Sequence, residues 1–151
     1  MPIRTRRWND PIIKGEGTRI LITRFRPRGV RKEREGWDEW LKHLGPSEEL
    51  HAAAYGKGQE PISFDEYRER YLQEMTAQGP RIHQLAERVR AGESISLLCS
   101  SACPDPERCH RTLLKELIEA ELPAELHSPA EARPGPAAVP KAFSKLKDWL
   151  E

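Results

Sequence analysis

Hydrophobic residues recur along this chain in two periods, and the alternation between them outlines the fold. Residues 19–24 alternate around Ile20 and Ile22, with Leu21 opposite, and Pro27 and Gly29 then force a turn; this pattern predicts a short buried strand. Trp37, Trp40, Leu41 and Leu44 follow at i, i+3, i+4 and i+7, which predicts a helix over residues 34–44 stopped by Gly45-Pro46. A further helical turn is expected from Ser47, before the Gly56-Lys57-Gly58 loop. The clearest start signal is Ser63-Phe64-Asp65-Glu66, a capping box flanked by Ile62 and Tyr67 at staple positions. The helix it opens should run to Met75 with Phe64, Tyr67, Tyr71 and Met75 on one packed stripe.

Pro80 suits the first turn of another helix, with Ile82, Leu85, Ala86 and Val89 inward, His83 outward and Gly92 as a left-handed stop. Residues 94–99 read as a second strand, apolar almost throughout. A helix from Cys109 to Leu122 then buries Leu113, Leu114, Leu117 and Ile118, and residues 124–127 offer a short third strand. Strand, helices, strand, crossover helix and strand make an α/β pattern: a small parallel sheet flanked by helices. The organisation expected is a basic arm over residues 1–18 and a single α/β domain over 19–127. A Pro/Ala-rich linker over 128–140 and an amphipathic tail helix over 141–151 complete it.

Composition narrows the class. The chain has 151 residues, 37% hydrophobic and 32% charged, enough for one modest core with a densely ionised surface. No stretch reaches the roughly 18 apolar residues of a membrane helix, and the first residues, MPIRTRR, lack the apolar segment of a secretory signal. Three cysteines, an odd number, argue against a disulfide-stapled scaffold. A cytoplasmic protein without membrane contact is the expectation. The net charge of +1 conceals an asymmetry: residues 1–34 hold eleven Lys/Arg against three Asp/Glu, a local +8, and the remainder carries −7. A basic segment of this kind either meets phosphate or nucleic acid or pairs with the acidic part of its own chain.

The chemistry concentrates in residues 97–117, LLCSSACPDPERCHRTLLKEL. In open α/β sheets ligands bind beyond the carboxyl ends of strands. A helix N-terminus placed there, with Arg108 and Arg111 beside it, favours an anion. Asp105-Pro106 competes, since it could cap the helix itself and repel a phosphate. Cys99 is in phase with Ile95 and Leu97 and reads as a buried small hydrophobe or a thiolate. Cys103 sits in the loop, before Pro104. Cys109 lies at i, i+4, i+8 with Leu113 and Leu117, near a helix start and beside His110 and Arg111, where thiols ionise more easily. Cys99, Cys103, Cys109 and His110 form a conceivable zinc set, but the spacing lacks a C-x2-C knuckle. On a regular helix, adjacent Cys109 and His110 would also point about 100° apart. Metal is therefore not favoured, and no cofactor is called for.

These residues resemble the domain-of-unknown-function 488 family in its YeaO-like branch. CSSACPDPERCHR resembles the family's strand-end Cys, acidic Pro-containing loop and Cys-His-Arg at a helix start. RILITRFRPRGVRKE matches through Arg24, Pro27, Arg28, Gly29, Val30, Lys32 and Glu33, and WDEWLKHLGPSEEL through Trp40, Leu41, Lys42, Leu44, Pro46, Ser47 and Leu50. The FDEYRERYLQEM helix also fits. The resemblance spans roughly residues 19–120 and departs at Arg26, where an aromatic is usual, at Thr23, where an acid is usual, and at the additional Cys103. It implies an α/β fold and a shared site, without naming a substrate.

Both blocks fall at strand ends on one edge of a parallel sheet. The expected site therefore joins Cys99, Cys109 and His110, as thiolate and acid–base groups, with Arg24, Arg26, Arg28, Lys32, Arg108 and Arg111 as ligand-binding cations. Its ligand would be a small phosphorylated or carboxylated molecule, or a nucleotide. The alternatives are a non-catalytic nucleic-acid-binding module using the basic arm, in which Trp8 stacks on a base, and a zinc-binding interaction protein.

Overall fold

The computed structural model describes residues 2–100 and 108–127. Four strands form one all-parallel sheet: β1 (Ile3–Arg7), β2 (Thr18–Leu21), β3 (Glu39–Trp40) and β4 (Ile95–Cys99), in the order β1-β4-β2-β3. β4 is a central strand, paired with β1 through Ile3↔Ile95 to Arg7↔Cys99 and with β2 through Thr18↔Ile95 to Leu21↔Leu98. All five of its residues are buried, as a strand covered on both faces requires.

Among the described residues four α-helices accompany the sheet: α1 (Glu48–Tyr55), α2 (Phe64–Met75), α3 (Gly79–Arg90) and α4 (His110–Glu119). Their starts follow the local signals. Ser47 accepts the Leu50 N–H at the head of α1, and Ser63 accepts the Glu66 N–H at the head of α2. Gly92, with φ 106°, turns the chain out of α3. The inner faces of the helices meet Ile3, Ile20, Ile22, Ile95 and Leu97 in one core cluster that includes Leu50, Tyr71, Met75, Ile82, Leu85, Val89, Leu114 and Ile118. Each such aliphatic side chain, fully withdrawn from water, contributes ~1.5–3 kcal/mol.

The alternate strand positions Arg19, Leu21, Ser96 and Leu98 are also buried but lie outside that cluster. Loops cover them. Arg19, 3% exposed, donates to the carbonyls of Trp8, Asp10 and Gly36 and to the Glu16 carboxylate, and so ties the β1–β2 and β2–β3 connections over the sheet. Burial works against the charge of Glu16. The Ile13 N–H, Arg19 and Arg6 outweigh it and hold the carboxyl at about 2, below its ordinary 4.5.

Several expectations are corrected. Residues 3–7, expected in an arm, form β1. The predicted 34–44 helix is absent; a 3-10 turn (Lys32–Arg34), β3 and a second 3-10 turn (Lys42–Leu44) replace it. The two indoles that gave it a helical period go to different partners. Trp37 packs edge-on to Trp8, with ring centroids 6.1 Å apart, and the Trp40 N–H donates to the Thr23 carbonyl. Residues 124–126 form a 3-10 turn after Pro123 instead of a third strand. The proposed linker and tail helix, residues 128–151, lie outside the described residues.

Candidate functional site

The sheet fixes the site at its carboxyl edge. Cys99 ends β4, pointing to the helix side like Ile95 and Leu97, and its carbonyl accepts the Trp8 N–H at the end of β1. Cys109 is the N-cap of α4, with extended backbone at φ −139° and ψ 145°. Being outside the helical turn, it does not diverge from His110 as two adjacent helical residues would, which removes the geometric objection raised from the sequence. Cys99 Sγ and Cys109 Sγ stand 3.0 Å apart, and both residues are 3% exposed.

His110 is oriented from two sides. Its Nε2 lies 2.8 Å from the Ile22 carbonyl oxygen just beyond β2, and its ring lies 5.5 Å, centroid to centroid, from that of Tyr71. Tyr71 is itself held by a 2.7 Å bond from its hydroxyl to the Leu44 carbonyl. Burial first, then Tyr67, Cys109, Cys99 and Glu74, pushes the Tyr71 phenol well above its ordinary range, so it remains a neutral donor. A carbonyl oxygen only accepts, so Nε2 carries the ring hydrogen and Nδ1 presents its lone pair. That Nδ1 is 3.8 Å from Cys109 Sγ.

These groups lie at the floor of an open cleft of about 660 Å³. Arg24, Arg26, Arg28, Lys57 and Arg108 line it, with no carboxylate among the described lining residues. Trp8, Phe25, His51, Tyr55, Phe64 and Tyr67 add planar faces. The arginines differ in how they are held. Arg24 donates to the carbonyls of Pro46 and Gly45. Arg26 pairs with Glu35 at 2.7 Å and lies 5.4 Å over the Trp37 ring. Arg28 is exposed and makes no ion pair among the described residues. Burial and then Lys57 push His51 below its ordinary range, which keeps it neutral near pH 7.

The structure thus brings Cys99, Cys109, His110, Arg24, Arg26, Arg28 and Arg108 to one cleft. Lys32 is exposed in the 3-10 turn and Arg111 is buried in the first turn of α4, with its Nε unpartnered among the described residues; neither lines the cleft. Cys103 and Asp105 lie outside the described residues. Sequence reasoning missed Lys57, whose flanking Gly56 and Gly58 marked a loop but not the surface that loop faces. Phe64 and Tyr67 pack against the core as the stripe predicts, and, half-buried, they also line the cleft wall, which the stripe alone does not reveal. The basic N-terminal segment turns partly inward, with Arg6 on Glu16 and Arg7 on Asp10.

As metal donors, Cys99, Cys109 and His110 offer ligand atoms within 4.8 Å of one another. Two Zn–S bonds of ~2.3 Å at a tetrahedral angle would hold the sulfurs about 3.8 Å apart. At 3.0 Å they are about 0.8 Å closer than that, a difference within the reach of side-chain rotation, so the three residues could hold a metal ion.

A parallel sheet accompanied by helices, with two thiols and an imidazole at its carboxyl edge and arginines lining the same cleft, defines a small α/β protein. The sequence model described as the Active DUF488-N3 subclade matches residues 3–122, and the chain belongs to the domain-of-unknown-function 488 family. That span takes in β1, which the 19–120 resemblance omitted. The uncharacterized protein YeaO of Escherichia coli (strain K12) is 36% identical over 91 residues, 58% of this chain and 76% of that protein. The uncharacterized proteins Mb3100c of Mycobacterium bovis and Rv3073c of Mycobacterium tuberculosis are each 33% identical over 73 residues, 48% of this chain and 59% of their own length. No solved structure matches the chain. No helix among the described residues is long and apolar enough to cross a membrane.

Proposed function

We propose that this protein binds a small phosphorylated or carboxylated molecule, or a nucleotide, in the strand-end cleft and acts on it through the Cys109 thiolate. One observation carries the reading: four arginines and a lysine line the same cleft as Cys99, Cys109 and His110, with no carboxylate among the described lining residues. Arg28, exposed, offers its guanidinium to the anion, Arg108 adds a cation to the same cleft, and Arg24 adds a charge fixed by backbone carbonyls. His110 Nδ1 takes the Cys109 proton, and the helix start together with the imidazolium favours the thiolate. Phe25 and Tyr55, both exposed at the rim, give a planar ring somewhere to rest. A nucleic-acid arm is not taken further, because residues 3–7 belong to the sheet and Arg6 and Arg7 are paired.

Alkylation of Cys109 across pH tests both halves. Iodoacetamide should react with an apparent pKa below about 7.5, against about 8.5 for an ordinary thiol. Inorganic phosphate or adenosine monophosphate should slow the reaction, and the Arg28→Ala variant should weaken that protection about threefold to tenfold, the range of a partly exposed charge contact. An ordinary thiol pKa defeats the thiolate, and alkylation indifferent to both anions defeats the anion site.

A further inference from the structure

The contact between Cys99 and Cys109 goes beyond a single nucleophile. Their sulfurs are 3.0 Å apart, within about 1 Å of the ~2.05 Å length of a disulfide bond. Both thiols sit on rigid supports: Cys99 on the last residue of a strand paired on both sides, Cys109 at the head of a helix anchored by Leu113, Leu114, Leu117 and Ile118. An approach of about 1 Å lies within the reach of side-chain rotation, so neither β4 nor α4 needs to move. Both thiols also line the cleft, which gives an incoming molecule a path to them despite their burial. His110 Nδ1 is 3.8 Å from Cys109 Sγ, and a ring nitrogen of His110 lies within 4.8 Å of both sulfurs, which puts the base beside the pair.

We infer that Cys99 and Cys109 form a dithiol redox couple whose oxidant is a small, negatively charged disulfide drawn in by the cleft arginines. This rests on the proposed reading of Cys109 as the attacking thiol in a cationic cleft, and adds the substrate class and the role of the second thiol. In the first step the Cys109 thiolate, its proton held on His110 Nδ1, attacks one sulfur of the disulfide RSSR. The Cys109–SR bond forms, the S–S bond breaks, and RS⁻ leaves with the proton from His110. In the second step Cys99 gives its proton to Nδ1 and attacks Cys109 Sγ; the second RS⁻ departs and takes that proton. RSSR is reduced to two RSH while the protein dithiol loses two electrons and two protons to become the Cys99–Cys109 disulfide. Excess RSH drives the same steps backwards and restores the dithiol.

The test uses the full chain, reduced and desalted, with oxidised glutathione as the anionic disulfide and bis(2-hydroxyethyl) disulfide as the neutral one. Intact mass should fall by two hydrogens, and peptide mapping should join Cys99 to Cys109. The anionic reagent should react at least about fivefold faster at low salt, an advantage that shrinks at high salt. The Cys99→Ser variant should stop at a mixed disulfide on Cys109, and Cys109→Ser should form neither product. A persistent mixed disulfide on wild-type Cys109, or a bond to Cys103 instead, overturns the couple. It leaves the anion site standing where phosphate still protects Cys109 from iodoacetamide. Equal rates with both disulfides leave the couple standing and overturn the anion reading. The wild-type mapping decides the couple even if a serine variant fails to fold.

Discussion

His110 Nε2 and the carbonyl oxygen of Ile22, 2.8 Å apart, join the start of α4 to the end of β2 and fix which nitrogen faces the thiols. The consequence is measurable. A glutamine at position 110 can keep an N–H on the Ile22 carbonyl while removing the Nδ1 lone pair. His110→Gln should therefore preserve the fold by circular dichroism yet raise the apparent pKa of Cys109 alkylation toward about 8.5 and cut the rate at neutral pH about tenfold. An unchanged pH profile would separate His110 from the chemistry of Cys109.

Glu16 gives the stability a specific acid limb. Its carboxyl sits at about 2 in the fold against 4.5 ordinarily, so folding favours the charged form. The stabilisation is complete above the ordinary value and is lost as pH falls from 4.5 toward 2. Denaturation midpoints should fall by an amount worth on the order of 2–3 kcal/mol across that window. Glu16→Gln should be weaker at neutral pH and should lack this part of the slope. A parallel pair of curves would count against the role of Glu16.

The two serine caps should differ. Ser63 is exposed and accepts one bond, from Glu66 N–H, so Ser63→Ala should cost ~1 kcal/mol. Ser47 caps α1 and also donates from both its hydroxyl and its N–H to Glu74 on α2, at 2.5 and 2.8 Å. Ser47→Ala loses a cap and half of an inter-helix tie, and should cost about 2 kcal/mol by urea titration. Equal costs would mean that the Glu74 contact contributes nothing.

Gly15 and Gly17 offer a second contrast. Both have positive φ, 83° and 79°, but a Cβ on Gly15 meets nothing within 4 Å, whereas one on Gly17 falls 2.0 Å from the Ser94 carbonyl oxygen. Gly15→Ala should cost ~1 kcal/mol through backbone strain alone. Gly17→Ala must also displace the junction of β2 with β4, and should lower the melting temperature several times as much.

How far the sequence revealed this depends on the range of the interactions. The Ser63 N-cap, the α3 stripe and the apolar run of β4 are local patterns, and the structure reproduces them, though Glu66 pairs with Arg70 rather than closing the capping box. β1 was not legible because IRTRR has one buried apolar residue in five, and what makes it a strand is pairing with residues about ninety positions away. The period of Trp37, Trp40, Leu41 and Leu44 mimics a helix. Close approach decides otherwise there: a Cβ on Gly45 would fall 2.5 Å from the Arg24 nitrogen, so the chain runs flat against the end of β2. At the candidate site, the strand-end rule anticipated that Arg24 and Arg28 would share a cleft with Cys99 and Cys109. Lys57 came from a loop that only tertiary packing turns toward it.

The strand order has a consequence for the order of synthesis. Ile3–Arg7 is made well before its hydrogen-bonding partner Ile95–Cys99, so β1 waits through some ninety further additions before it has a ladder to join. Pairings across such separations slow folding relative to helical neighbours. The same late event sets Cys99 into place. In the nascent chain, the helices α1 to α3 can gather before the carboxyl edge of the sheet is complete, and Cys99 and Cys109 meet only when β4 lies between β1 and β2 and α4 packs behind it.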